Sequence, residues 1–109
     1  MRATAPTFDD RLVKMLKALG HPNRFRLFVE ILKGTRSYED GHACLLTPLL
    51  ARLNVGAPTV SHHLKELVNA GLVATARDGK FLTCRVTADA LERLSSFFAN
   101  ARDMEKQKR

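Results

Sequence analysis

Tryptophan is absent from this chain of 109 residues, tyrosine occurs once and cysteine only twice. The two cysteines, Cys44 and Cys84, lack the CxxC spacing of a zinc knuckle or a thioredoxin-like site, and in a reducing cytosol both are expected as thiols. No apolar run approaches the roughly 18 residues that span a bilayer. The opening Met1-Arg-Ala-Thr-Ala lacks the apolar region of a signal peptide, so the expected location is cytoplasmic, without a membrane partner. Internal repeats and low-complexity segments are also missing. Acidic residues are the scarcer charge, 11 against 18 Lys and Arg, which leaves a formal +7 and favours an anionic partner. No nucleophile stands at a recognisable spacing from a base, and His62-His63 has no positioned carboxylate or third ligand. The chain is therefore not expected to be an enzyme.

Hydrophobic residues make up 45% of the chain, enough at this length for one core and a single domain over 1–109, with its core over about 7–101. Thr7 reads as the N-cap of a first helix, with Asp9 and Asp10 in its first turn, Leu12, Met15, Leu16 and Leu19 at helical spacing, and a stop at Gly20. His21-Pro22 opens a second helix whose broad apolar face comprises Phe25, Leu27, Phe28, Ile31 and Leu32, ending at Gly34. Residues 34–41 are polar and aperiodic and read as a loop. A short strand over His42–Leu45 precedes Thr47-Pro48, an N-cap and N1 pair for a third helix reaching Leu53. Asn54-Val55-Gly56 supplies a turn, and a fourth helix runs from Ala57 to Asn69-Ala70-Gly71. Leu72–Thr75 and Phe81–Val86 read as strands joined through Asp78-Gly79, a type I′ hairpin signal. Thr87 caps a last helix with Leu91, Leu94, Phe97 and Phe98 on its apolar face, and the charged tail over 102–109 is expected to fray. The sum is a mainly α fold with a small β-hairpin, a winged helix-turn-helix in the order α-α-β-α-α-β-β-α.

Within the fourth helix Val60, Leu64, Leu67 and Val68 fall at i, i+4, i+7 and i+8, a spacing that anchors one face to the core. At about 100° per residue His62 points away from that anchor, flanked by Thr59 and Lys65, with Ser61 and His63 on the shoulders. Hydroxyls, imidazoles and an ammonium are groups that meet phosphates and base edges in a major groove. Pro58 and Thr59 sit at the helix N-terminus, where partial positive charge favours phosphate. Arg77 and Lys80 flank the hairpin turn within reach of a neighbouring phosphate or minor groove. The alternative for the helix is a solvated amphipathic surface, and for the hairpin cations ordinary solubility.

The run Ala57-Pro-Thr-Val-Ser-His-His-Leu-Lys-Glu-Leu, with Ala70-Gly-Leu-Val and Arg77-Asp-Gly-Lys, resembles the ArsR/SmtB family of bacterial repressors. Leu16-Lys-Ala-Leu-Gly-His-Pro-Asn-Arg-Phe-Arg-Leu is similar to the start of that family's second helix. The resemblance spans about residues 14–98. It implies a homodimer joined through its terminal helices, double-stranded DNA with a palindromic operator as partner, and release from DNA by metal, metalloid or thiol chemistry. Aligned on Pro58-Thr-Val-Ser, the family's Cys-Val-Cys box falls on Leu45-Leu46-Thr47, with Cys44 one place outside it. Residues 87–109 contain no histidine, so the family's zinc site on the last helix has no counterpart, and no metal site or resident cofactor is expected.

In a winged helix the short strand pairs with the returning wing strand, a topology that brings Cys44 towards Cys84. Oxidation of the pair, or capture of a thiol-bound metalloid, would then strain the wing against the recognition helix and release DNA. The alternative is two buried core residues. As a whole, the sequence is expected to encode a sequence-specific DNA-binding regulator. A winged-helix protein-protein interaction module is the alternative.

Overall fold

The computed structural model describes residues 9–37, 44–45, 57–78 and 81–107. Helix α1 spans Asp10–Leu19, α2 Pro22–Ser37, α3 Ala57–Asn69 and α4 Ala88–Gln107; strand β1 is Cys44–Leu45, β2 Val73–Asp78 and β3 Phe81–Val86. The helix expected over 47–53 lies outside the described residues, as do the hairpin tip, with Lys80, and Thr7.

Helix α1 is capped by Asp9 rather than by Thr7. Asp9 is extended, at φ −135° and ψ 117°, and its carboxylate accepts from the Arg11 N–H at 2.9 Å. A carboxylate at that position both satisfies an orphan amide and meets the positive end of the helix dipole. Leu12, Met15 and Ala18 are the residues α1 buries. Helix α2 starts on Pro22, as expected, and continues through Gly34 to Ser37 instead of stopping at the glycine. Gly34 is buried there, within the helix, despite a propensity cost of about 1 kcal/mol. Leu27, Phe28 and Ile31 face the core, whereas Phe25, expected on the same face, is 49% exposed.

The three strands form one antiparallel sheet in the order β1-β3-β2. Register pairs Cys44 with Cys84, and on the other side of β3 pairs Thr75 with Cys84 and Arg77 with Leu82. Strand β2 begins and ends later than the sequence suggests, running to Asp78, because its pairing with β3 continues towards the turn. Met15, Leu27, Ile31, Val60, Leu67, Leu72 and Cys84 belong to a single hydrophobic cluster that joins the inner faces of α1, α2 and α3 to the sheet.

Helix α3 ends in a Schellman turn. The Leu72 N–H donates to the Leu67 carbonyl at 3.0 Å and the Gly71 N–H to the Val68 carbonyl at 2.9 Å, with Gly71 at φ +80°. Thr87 locks that turn to the start of α4: its hydroxyl donates to the Gly71 carbonyl at 2.8 Å and accepts from the Ala90 N–H at 3.3 Å. The C-terminus of α3 and the N-terminus of α4 are thus held by one side chain. Helix α4 does not stop before the charged tail but stays helical to Gln107, and Ala90 is its only buried residue.

Candidate nucleic-acid interface

The exposed side of α3 follows from which residues the core takes. Val60, Leu64 and Leu67 are buried, as their spacing requires, but Val68 is 36% exposed and His63 only 5%. The buried arc is therefore turned by about a third of a quadrant towards His63, at about 100° per residue, relative to the arc the aliphatic residues alone define. Thr59, Ser61, His62 and Lys65 all lie on the exposed side. His63, expected on the shoulder of that surface, is withdrawn from it.

Asn69 is exposed as well and follows His62 and Lys65 at i+7 and i+4, so one polar stripe runs the length of the helix. Sequence reasoning used Asn69 only as a helix terminus, although its spacing from His62 carried the signal. Pro58 belongs to the first turn of α3. Across the hairpin Arg77 is exposed on β2, and Arg85, not singled out from the sequence, is exposed on β3 opposite Ala74.

His63 packs against the start of α2. Its ring centroid lies 4.6 Å from that of His21 and 6.0 Å from that of His62. Neither ring nitrogen of His63 has a hydrogen-bond partner among the described residues. Burial holds its pKa below the ordinary value, and the charges of His21, Arg24 and His62 push it the same way. The ring is accordingly a neutral packing element at neutral pH. No group of three or more His, Cys, Asp or Glu side chains able to hold a metal ion occurs among the described residues.

Cys84 is fully buried in the centre of the sheet, and the backbone of Cys44 stands directly opposite it. No helix among the described residues is long and apolar enough to cross a membrane. Among the described residues the large apolar side chains left exposed are Val13 and Leu16 on α1, Phe25 on α2, Val68 on α3, and Leu91, Phe98 and Met104 on α4, so five of the seven lie on the terminal helices.

Comparison with known proteins bears on this surface directly. Residues 19–76, which include α2, α3 and the first four residues of β2, match a family described as a helix-turn-helix domain. The chain is 33% identical over 76 residues to the "Probable mercury resistance operon repressor" of Streptomyces lividans, covering 70% of this chain and 54% of the relative. It is 34% identical over 80 residues to the "Biofilm growth-associated repressor" of Agrobacterium fabrum, covering 73% and 62%. It thus spans little more than half the length of these curated relatives. Among solved structures, an ArsR family transcriptional regulator superposes with a TM-score of 0.73 at 16% identity, covering 94% of this chain and 97% of that one. The homodimeric winged helix-turn-helix DNA-binding domain of a Mycobacterium bovis protein does so with a TM-score of 0.64 at 20% identity, covering 92% and 91%. With this match over residues 19–76 the chain belongs to that helix-turn-helix domain family, and it shares the winged fold of ArsR family regulators.

Proposed function

We propose that this protein is a sequence-specific DNA-binding repressor that acts as a homodimer on a palindromic operator. The observation that carries the reading is the stripe of Thr59, Ser61, His62 and Lys65, all exposed on a helix whose opposite side is locked into the core. A helix about 10–12 Å across fits a B-form major groove about 12 Å wide, and its N-terminal residues are those that reach base edges. Arg77 of the hairpin, with Lys80 and Pro58 from the sequence, supplies further phosphate or minor-groove contact. Dimerisation is supported by the exposed apolar residues of α1 and α4, which a lone domain would leave wet. Electrophoretic retardation of a duplex from the protein's own promoter region tests the function. Retention at low salt with a steep loss as salt rises is the expected result. Binding of a protein partner indifferent to DNA and salt, with no retardation of any duplex, would establish the interaction module instead.

A specific observation also favours a thiol-based signal. Residues directly opposite in an antiparallel ladder have Cα atoms about 4.5–5.5 Å apart, within the span a disulfide bridges. Cys44 and Cys84 are such a pair. Hydrogen peroxide would take two electrons and two protons from the thiols, closing the S–S bond and leaving two molecules of water. Soft metals or metalloids suit the same two sulfurs, and the role printed for the Streptomyces relative is mercury resistance. Either event would pull on β3, which carries the wing. Operator affinity of the wild type and Cys84→Ser, with and without peroxide or arsenite, is the test: equal affinity under all conditions rules the sensor out.

A further inference from the structure

Lys14 and Lys17 of α1, Arg24 of α2, and Glu66 and Asn69 of α3 line a cavity of about 290 Å³ where the three helices meet. Three cations face one carboxylate there, and none of Lys14, Lys17 and Arg24 forms an ion pair with a described residue. The ends of α1 and α3 each add about half a negative charge, which leaves the cavity close to one net positive charge. Arg24 is held over the end of α1 by a long contact from its Nη1 to the Ala18 carbonyl, 3.5 Å, while its Nε is buried with no partner among the described residues. A buried donor without an acceptor is costly, and an anionic oxygen is the strongest acceptor that could be delivered to it.

We propose that this cavity seats a phosphodiester group of the DNA backbone, gripped by Lys14, Lys17 and Arg24. The inference rests on the DNA-binding reading and adds a third contact to those of α3 and the hairpin. The monoanionic charge of a phosphodiester matches the net charge of the site. Its position matches as well, because Asn69 belongs at once to the exposed stripe of α3 and to the rim of the cavity. A helix filling the major groove has a phosphate backbone along each flank, and the α1–α2 junction lines one flank of α3. On α1 Lys14 lies about 100° round from Val13 and Lys17 about 100° round from Leu16, with Lys17 about 40° from Val13, so the seat borders the exposed apolar pair and does not coincide with it.

A free phosphorylated small molecule offers the same oxygen chemistry, so the experiment separates the two sources. Fluorescence anisotropy measures affinity across a salt series for the wild type, the Lys14→Ala/Lys17→Ala double variant and Lys106→Ala as a control on α4. The probes are a promoter duplex and a scrambled duplex. The double variant is expected to lower the slope of log K on log salt by about 0.9 on both duplexes, one phosphate's worth, without changing their affinity ratio. Lys106→Ala is expected to leave the slope unchanged. A double-variant slope and affinity equal to wild type overturn the seat alone. The seat is also overturned if inorganic phosphate, at constant ionic strength, raises the melting temperature of wild type but not of the double variant while the two share one DNA slope. That result assigns the cavity to a free anion. Failure of the wild type to bind either duplex at low salt overturns the DNA-binding reading, and the seat with it.

Discussion

The imidazole of His21, the residue before α2, lies 4.6 Å from that of His63 at a tilt of 50°, joining the entry to α2 to the inner side of α3. His63 is the buried member, and the ionisable groups facing it, His21 before α2, Arg24 from α2 and His62 from α3, all add positive charge or can acquire it. A histidine whose pKa is depressed by folding contributes stability that is complete above its unfolded value, near 6.5, and is lost as pH falls through the folded value. Chemical denaturation from about pH 8 to about pH 5 should therefore show the wild type losing more stability than His63→Gln, which cannot be protonated in this range. Parallel losses in the two proteins would remove His63 as the cause.

Gly71 allows a second test, on the turn that ends α3. An added Cβ would meet only the Met15 Cε, at 3.8 Å, so space is not the obstacle. The positive φ of 80° is. Gly71→Ala should cost about 1–2 kcal/mol, the penalty of a left-handed residue with a side chain, read as a lower urea midpoint at unchanged m-value.

Thr87 both donates to the Gly71 carbonyl and accepts from the Ala90 amide. Thr87→Val keeps the shape and removes both bonds, for an expected loss of about 1–3 kcal/mol. Thr87→Ser retains the hydroxyl and should recover most of it. A valine variant as stable as wild type would mean that water replaces the hydroxyl without cost.

Much of this architecture is legible in the sequence because periodicity and caps act locally. Pro22 at the start of α2, Gly71 after α3 and Thr87 before α4 each do in the structure what their chemistry suggests. The errors fall where tertiary packing overrides local preference. Gly34 reads as a stop, yet it is buried inside α2, which continues to Ser37. His63 reads as polar and hence exposed, but the α2–α3 junction leaves room for a flat neutral ring and pushes Val68 outward instead. The cavity beneath Arg24 was invisible for a related reason: Lys14, Lys17, Arg24 and Glu66 come from three helices, and no sequence spacing links them.

Lys65 is exposed on α3 in the stripe proposed to face DNA. Lys65→Ala should reduce the slope of log K against log salt by about 0.9, the effect of losing one phosphate contact. Because a phosphate carries no sequence information, affinity for operator and scrambled duplex should fall together. A loss confined to the operator would instead assign Lys65 to a base edge, with guanine O6 and N7 as its acceptors.

Phe98 is 56% exposed and lies one turn beyond Leu94 on a helix whose only buried residue is Ala90. Burying such a side chain against a second copy would be worth about 1.5–3 kcal/mol per site. In a two-fold dimer each substitution is felt twice, so Phe98→Glu should weaken association by at least tenfold and shift sedimentation towards the monomer. The domain itself should keep its fold, because α4 contributes only Ala90 to the buried core. Operator binding should then fall far more than binding of a single half-site, since the gain from joining two half-sites in one dimer is lost when the subunits separate. A variant that sediments as wild type would show that α4 does not carry the dimer contact at Phe98, and attention would move to Val13 and Leu16 on α1, the other exposed apolar pair.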